Sequence, residues 1–157
     1  MEDAGTVWRR VRGAVVEGHK VASGRSDKGE YPAGTIEMQL PALRARGLDL
    51  TGFFPATLNI SIAPWDFEMK APEFVFRGVH WTDLHPPEDF MFSRCRVLFR
   101  DAPYEGLVYY PSPETKARHF QASGVIEVIC RPIEGIGYGA ELELELNAGE
   151  IELLGPR

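Results

Sequence analysis

The sequence predicts a mostly β protein, a compact barrel or sandwich of short strands with one or two short helices. Three observations predict it. Apolar and polar residues alternate with period two in most runs between residues 13 and 154. A helical period is visible in one stretch of note. Turn signals, among them Gly24, Gly29, Pro41, Pro55, Pro64, Pro86, Pro87, Pro103 and Gly149, fall between the runs.

Taken in order, GAVVEGHKVASG (13–24) alternates into a glycine and reads as the first strand. GTIEMQL (34–40) sets Ile36, Met38 and Leu40 against Glu37 and Gln39, again a strand pattern. LPALRARGLDLTG (40–52) is the helix candidate, with Leu40, Leu43 and Leu50 along one side and a break near Gly47. TLNISI, EFVFRGVHWTDL, RCRVLF and GLVYY continue the strand theme, and SPETKARHF (112–120) suits a second short helical turn. GVIEVICRP and AELELELNAGEIELL are the clearest strands. In the latter Leu142, Leu144 and Leu146 face one way and Glu141, Glu143 and Glu145 the other, which reads as a solvated sheet face.

A chain of 157 residues fits one domain, 1–157, with its core between about 13 and 154. The net charge of −6 argues against a nonspecific nucleic-acid surface, so any phosphate site has to be a local one. The N-terminus puts acids before its basic cluster, and no window approaches the roughly 18 apolar residues of a membrane span. The chain therefore reads as cytoplasmic, with no membrane and no nucleic-acid partner. Cys95 and Cys130 lie too far apart for a metal knuckle and read as two reduced, partly buried thiols.

Three stretches can carry chemistry. VASGRSDKGEYPAGT (21–35) is a glycine-bearing polar loop with Arg25 and Lys28. Converging amides and a cation can cradle phosphates there, although the loop is not a Walker A sequence, and a solvated hairpin has the same composition. GFFPATLNISI (52–62) sets Thr57 and Asn59 on one face of an extended chain and Leu58 and Ile60 on the other. The pair either caps a strand entry after Pro55 or offers a hydroxyl and an amide oxygen to a hard cation. In PETKARHFQASGVIEV (113–128), Glu127 sits between Ile126 and Val128; alternation alone makes it solvent-facing, and the other reading is a partly buried carboxylate with a partner. In VHWTDLHPP, Asp83 and His85 share a face and His80 does not, a poor basis for a metal site, and no nucleophile elbow accompanies the Ser, His and Asp residues.

Together these stretches resemble the archaeal CTP-dependent riboflavin kinase family. GHKVASG followed by RSDKGEY occupies the place of that family's first strand and nucleotide loop. TGFFPATLNISI is similar nearly residue for residue to its Gly-Phe, proline and Gly-Thr-Leu-Asn segment, with Ala56 in place of a glycine. PSPETK and SGVIEVICRP mirror its later Pro-Glu-x-Thr-like segment and Ile-Glu strand, so the likeness runs from about residue 13 to 147. The resemblance implies a six-stranded cradle-loop (RIFT-like) β-barrel that transfers the γ-phosphoryl group of CTP to the 5′-hydroxyl of riboflavin, giving FMN and CDP.

It further implies that Thr57 and Asn59 hold Mg2+, that Gly24, Arg25, Lys28 and Gly29 wrap the nucleotide phosphates, and that Thr115 and Glu127 contact the flavin or its new phosphate. The family's Leu-Arg after the Ile-Glu strand and its Asp-Gly-Asp before the last strand are missing from CRPIEGIGYGAELELEL, and Arg131 stands where it can replace the lost arginine. A kinase accepting CTP or another nucleotide is thus expected, as a monomer or small homo-oligomer. The alternative is a non-catalytic barrel that binds a nucleotide, a flavin or another small ligand.

Overall fold

The computed structural model describes residues 5–17, 35–84, 86–112 and 124–156. Gly24, Arg25, Lys28, Gly29 and Thr115, and the SPETKARHF turn beyond Ser112, lie outside them. Nine strands and one helix are described: β1 (Trp8–Val16), α1 (Thr35–Ala45), β2 (Leu58–Ser61), β3 (Asp66–Met69), β4 (Phe74–Val79), β5 (Glu88–Phe99), β6 (Ala102–Pro111), β7 (Val125–Cys130), β8 (Glu141–Asn147) and β9 (Ile151–Leu154).

Six antiparallel strands close on themselves. The order β5-β6-β7-β2-β1-β8 is completed by pairing of β8 back onto β5, giving a closed six-stranded antiparallel barrel. The twelve-residue β5 divides one of its edges: Glu88–Phe92 pairs with β4, and Cys95–Leu98 pairs with β8. Closure leaves those six strands with few free edges, which is how a small antiparallel sheet limits exposed backbone donors. β3 and β9 form a separate two-stranded ribbon. Among the described residues no helix is long and apolar enough to cross a membrane.

Alternation explains the barrel interior. Val11 and Val15 of β1, Ile60 of β2, Ile126 and Val128 of β7 and Leu142, Leu144 and Leu146 of β8 form one buried cluster. Gly13 has a steric role in it: a Cβ there would lie 2.6 Å from Ile60 Cγ2 and 3.0 Å from the Ser61 carbonyl, so only glycine lets β1 approach β2 this closely. A second cluster lies on the outer side of the sheet. Leu107, Tyr109, Phe90, Phe92 and Ile129 are covered there by Ile36 and Leu43 of α1 and by Leu48 and Leu50 beyond it.

That outer layer overturns the strand expected at residues 34–40. Ile36, Gln39 and Leu43 recur at helical spacing and are all at most 2 % exposed, so the segment opens α1, which runs Thr35–Ala45 instead of 40–52. A two-residue pattern over seven positions resembles a helix whenever one polar residue, here Gln39, belongs to the buried face. Pro41 lies inside this helix on its exposed side and is not a turn. The first strand also differs at its start, beginning at Trp8 and running to Val16 with Arg10 and Arg12 at outward positions; residues 18–24 of the expected strand lie outside the described residues. β4 stops at Val79, short of HWTDL.

The β5–β6 hairpin turns through only Arg100 and Asp101, both left-handed at φ 52° and 64°. That is the primed geometry whose twist matches the strands, reached here without Asn-Gly. Glu145 of β8 is less solvated than alternation suggests, whereas Glu141 is exposed as expected. Glu145 accepts from Arg10 Nη2 at 2.9 Å on one side and pairs with Arg96 Nε at 2.9 Å on the other, following the β1–β8–β5 register.

The two cysteines are both buried and free. Each pairs in register with Gly106 of β6, so they lie two strands apart, roughly 9–10 Å between Cα atoms and beyond disulfide reach. Burial pushes the Cys130 thiol up to about 11, and burial with the neighbouring Cys130 raises Cys95 further.

Candidate functional site

β2 is the shortest strand of the barrel and lies between β7 and β1, and its N-terminal end carries the polar triplet. Asn59 pairs directly with Glu127 of β7 on one side and with Val16 of β1 on the other. Directly paired residues share a sheet face, so the Asn59 amide and the Glu127 carboxylate stand side by side on the outside of the barrel. Thr57, two residues earlier on the same face, has its Oγ1 3.5 Å from Glu127 Oε1, long for a hydroxyl–carboxylate hydrogen bond. Three residues from two stretches 70 positions apart thus form one oxygen-rich patch.

Glu127 is 9 % exposed, which corrects the solvent-facing expectation. Alternation assumes one wet face, but β7 is covered on both: Ile126 and Val128 face the barrel core, and Ile129, on the same side as Glu127, packs under the α1 layer. Glu127 is the partly buried carboxylate with partners.

The row continues through residues that periodicity did not single out. The β6–β7 pairing runs Gly106–Cys130, Leu107–Ile129, Val108–Val128, so its next step sets Tyr109 opposite Glu127. The Tyr109 hydroxyl donates to Gln39 Oε1 of α1 at 2.9 Å, both groups buried. Burial, reinforced by the nearby Glu127 carboxylate, raises the Tyr109 phenol well above its ordinary value and keeps it protonated. The only sequence signal for this pair was a polar residue, Gln39, among the apolar positions of a helix.

Beside the patch lies a cavity of about 540 Å³. It opens where the ends of β7, β2 and β1 meet, and its wall includes Thr57, Asn59, Val15, Cys130 and Ile133. Two backbone segments frame it. The turn before β2 is tied to β7 by Phe54 N–H donating to the Cys130 carbonyl at 2.9 Å, and the loop between β7 and β8 is tied to β1 by Gly139 N–H donating to the Val15 carbonyl at 2.8 Å.

Arg131 also borders the cavity, with its guanidinium turned toward the frame. Its Nε and Nη2 donate to Glu105 Oε1 at 3.2 and 3.1 Å, its Nη1 donates to the Thr51 carbonyl at 3.2 Å, and its Cζ lies over the Phe53 ring, 4.4 Å from the centroid. Gly52 makes that possible. It adopts φ 88°, and a Cβ there would collide with Arg131 Nη1. Arg131 therefore braces the Gly52-Phe53 turn that delivers Thr57 to the site.

The structure brings together Thr57, Asn59 and Glu127, with Arg131 on the cavity rim. His80 Nε2 and Asp83 Oδ1 are 3.0 Å apart and exposed, away from this patch. Among the described residues, no group of three or more His, Cys, Asp or Glu converges as a metal-binding cluster would. No family model matches this chain, and no curated protein matches it.

Proposed function

We propose that the protein is a magnesium-dependent kinase that transfers the γ-phosphoryl group of CTP or another nucleoside triphosphate to riboflavin, giving FMN, as the resemblance to the archaeal CTP-dependent riboflavin kinases implies. One observation carries the reading. Thr57, Asn59 and Glu127, assigned to metal and acceptor by that resemblance, lie together on one face of the β2–β7 pair, and Thr57 and Asn59 also line a cavity of nucleotide size.

The donor set fits magnesium. A hydroxyl, an amide oxygen and a carboxylate are all hard oxygen donors, and this ion uses few protein ligands beside water and phosphate oxygens. Thr57 and Asn59 would hold it, and when bound it would neutralise charge on the phosphates. Glu127 can accept a hydrogen bond from the acceptor hydroxyl and so orient that oxygen for in-line attack on the γ-phosphorus. The attacking O–P bond forms as the bond to the β-phosphate oxygen breaks, and the hydroxyl proton is released. Such transfer depends mainly on position and charge, so it does not require a familiar kinase signature. Gly24, Arg25, Lys28 and Gly29 on the nucleotide, and Thr115 on the flavin, remain assignments by resemblance.

A second reading, a non-catalytic barrel binding a nucleotide or flavin, is favoured by Arg131. Its guanidinium is engaged by Glu105, Thr51 and Phe53, which argues against its replacing the missing nucleotide-contacting arginine. The deciding experiment is FMN formation from riboflavin and Mg2+ with CTP, ATP, GTP or UTP supplied singly, in the wild type and in Asn59→Ala. Turnover lost in the variant with its fold intact supports the kinase; no FMN from the folded wild type with any donor supports the binder.

A further inference from the structure

We propose that the cavity grips the base of the donor nucleotide by its faces, between the rings of Phe54 and Tyr138. This rests on the nucleotide-dependent reading above and adds how the site holds the base of its donor.

These two rings are the most exposed aromatic side chains among the described residues. Phe90 and Phe92 are fully buried, yet Phe54 is 52 % and Tyr138 56 % exposed, and both line this cavity. Their backbones are anchored on the two strands that flank β2. Phe54 hangs from β7 through its N–H to the Cys130 carbonyl, and the Phe54 carbonyl accepts from Ala56 N–H at 2.8 Å. Tyr138 lies in the Gly137–Ala140 turn, which is closed by a 3.0 Å hydrogen bond and held to β1 through Gly139 and Val15. Two apolar rings are thus kept in water by rigid backbone on either side of the strand that carries Thr57 and Asn59. Apolar surface so held loses hydrophobic stabilisation unless a planar ligand covers it.

The cavity is also polarised. Its β2 end carries the oxygen donors Thr57 and Asn59, where phosphates and their cation belong; elsewhere its wall is largely apolar, with Val15, Ile133, Ile136 and the two rings, and Arg131 and Glu134 are its charged residues. The hard oxygen donors would hold the cation, and with it the phosphates, at Thr57 and Asn59, which leaves the two rings for the neutral base. Stacking accepts every base because every base has a π-face, so this site tolerates more than one donor base.

The test is calorimetric binding of Mg·CTP, Mg·ATP and Mg·tripolyphosphate to the full chain and to Phe54→Ala, Tyr138→Ala and Tyr138→Phe. Because both rings are more than half exposed, melting curves should confirm intact folds. Each alanine variant is expected to weaken CTP and ATP alike, by roughly 5- to 100-fold, while Tyr138→Phe and all tripolyphosphate affinities stay near wild type. Unchanged nucleotide affinity in either alanine variant, equal losses for tripolyphosphate, or no nucleotide binding to folded wild type overturns the clamp. FMN formation is scored separately: stacking losses without FMN leave the clamp and remove the riboflavin kinase, whereas FMN formation with unaffected alanine variants does the reverse.

Discussion

On the inner face of β7, Ile126 and Val128 are completely buried among the apolar residues of β1, β2 and β8. One position along, on the outer face, Glu127 is nearly as buried but stands beside Asn59, Thr57 and Tyr109. The same strand therefore carries the barrel on its even positions and the candidate site on an odd one. Burial differs little between these neighbouring positions of β7, and the partners differ: methyl groups inside, hydrogen-bonding oxygens outside. A carboxylate can remain in so dry a place only where neighbouring polar groups hold it. That is why its burial points to function more strongly than exposure would.

The sharpest way to break this comparison is to damage each face in turn. Ile126→Ala should lower stability by about 2–5 kcal/mol through lost contacts and a cavity, seen as a lower denaturation midpoint. Asn59→Ala should leave the midpoint near wild type and reduce FMN formation by at least roughly 10- to 100-fold, the size of effect typical where a metal site is disturbed. Equal loss of stability in both variants would mean that the outer row is merely structural.

Tyr109→Phe tests the junction between the two layers. It leaves the buried Gln39 acceptor without its 2.9 Å partner and should lower stability by about 1–3 kcal/mol, measured by denaturant titration. A wild-type midpoint would show that the hydrogen bond does not tie α1 to the sheet.

The smallest effect concerns pH on the inner face. Cys130 is pushed up to about 11 in the folded protein, above the ordinary thiol value it regains on unfolding. The unfolded chain thus loses its proton first as pH rises, so the folded state's advantage is complete below about pH 8.5 and declines as pH approaches 11. Denaturation midpoints taken at pH 8, 9 and 10 should fall in that order, and less steeply in Cys130→Ala.

Much of this architecture was legible in sequence. Leu142, Leu144 and Leu146 alternate with glutamates and do line the core, and Thr57 and Asn59 share a face as an extended chain requires. Gln39, Tyr109, Phe54 and Tyr138 were not legible. Each owes its significance to an element distant in sequence, and periodicity describes only near neighbours. The helix at Thr35–Ala45 was obscured for the same reason, since Gln39 looks outward-facing until Tyr109 supplies its partner.

By itself the sequence determined the β class, the alternating core and the polar triplet before β2, because side-chain periodicity and turn chemistry are local properties. Tertiary structure alone decided that Glu127 is buried, that it meets Asn59 and Thr57, and that Arg131 braces Gly52 and Phe53. These depend on which strands become neighbours when the barrel closes, and the β2–β7 register joins residues some 70 positions apart through long-range packing that no local pattern encodes.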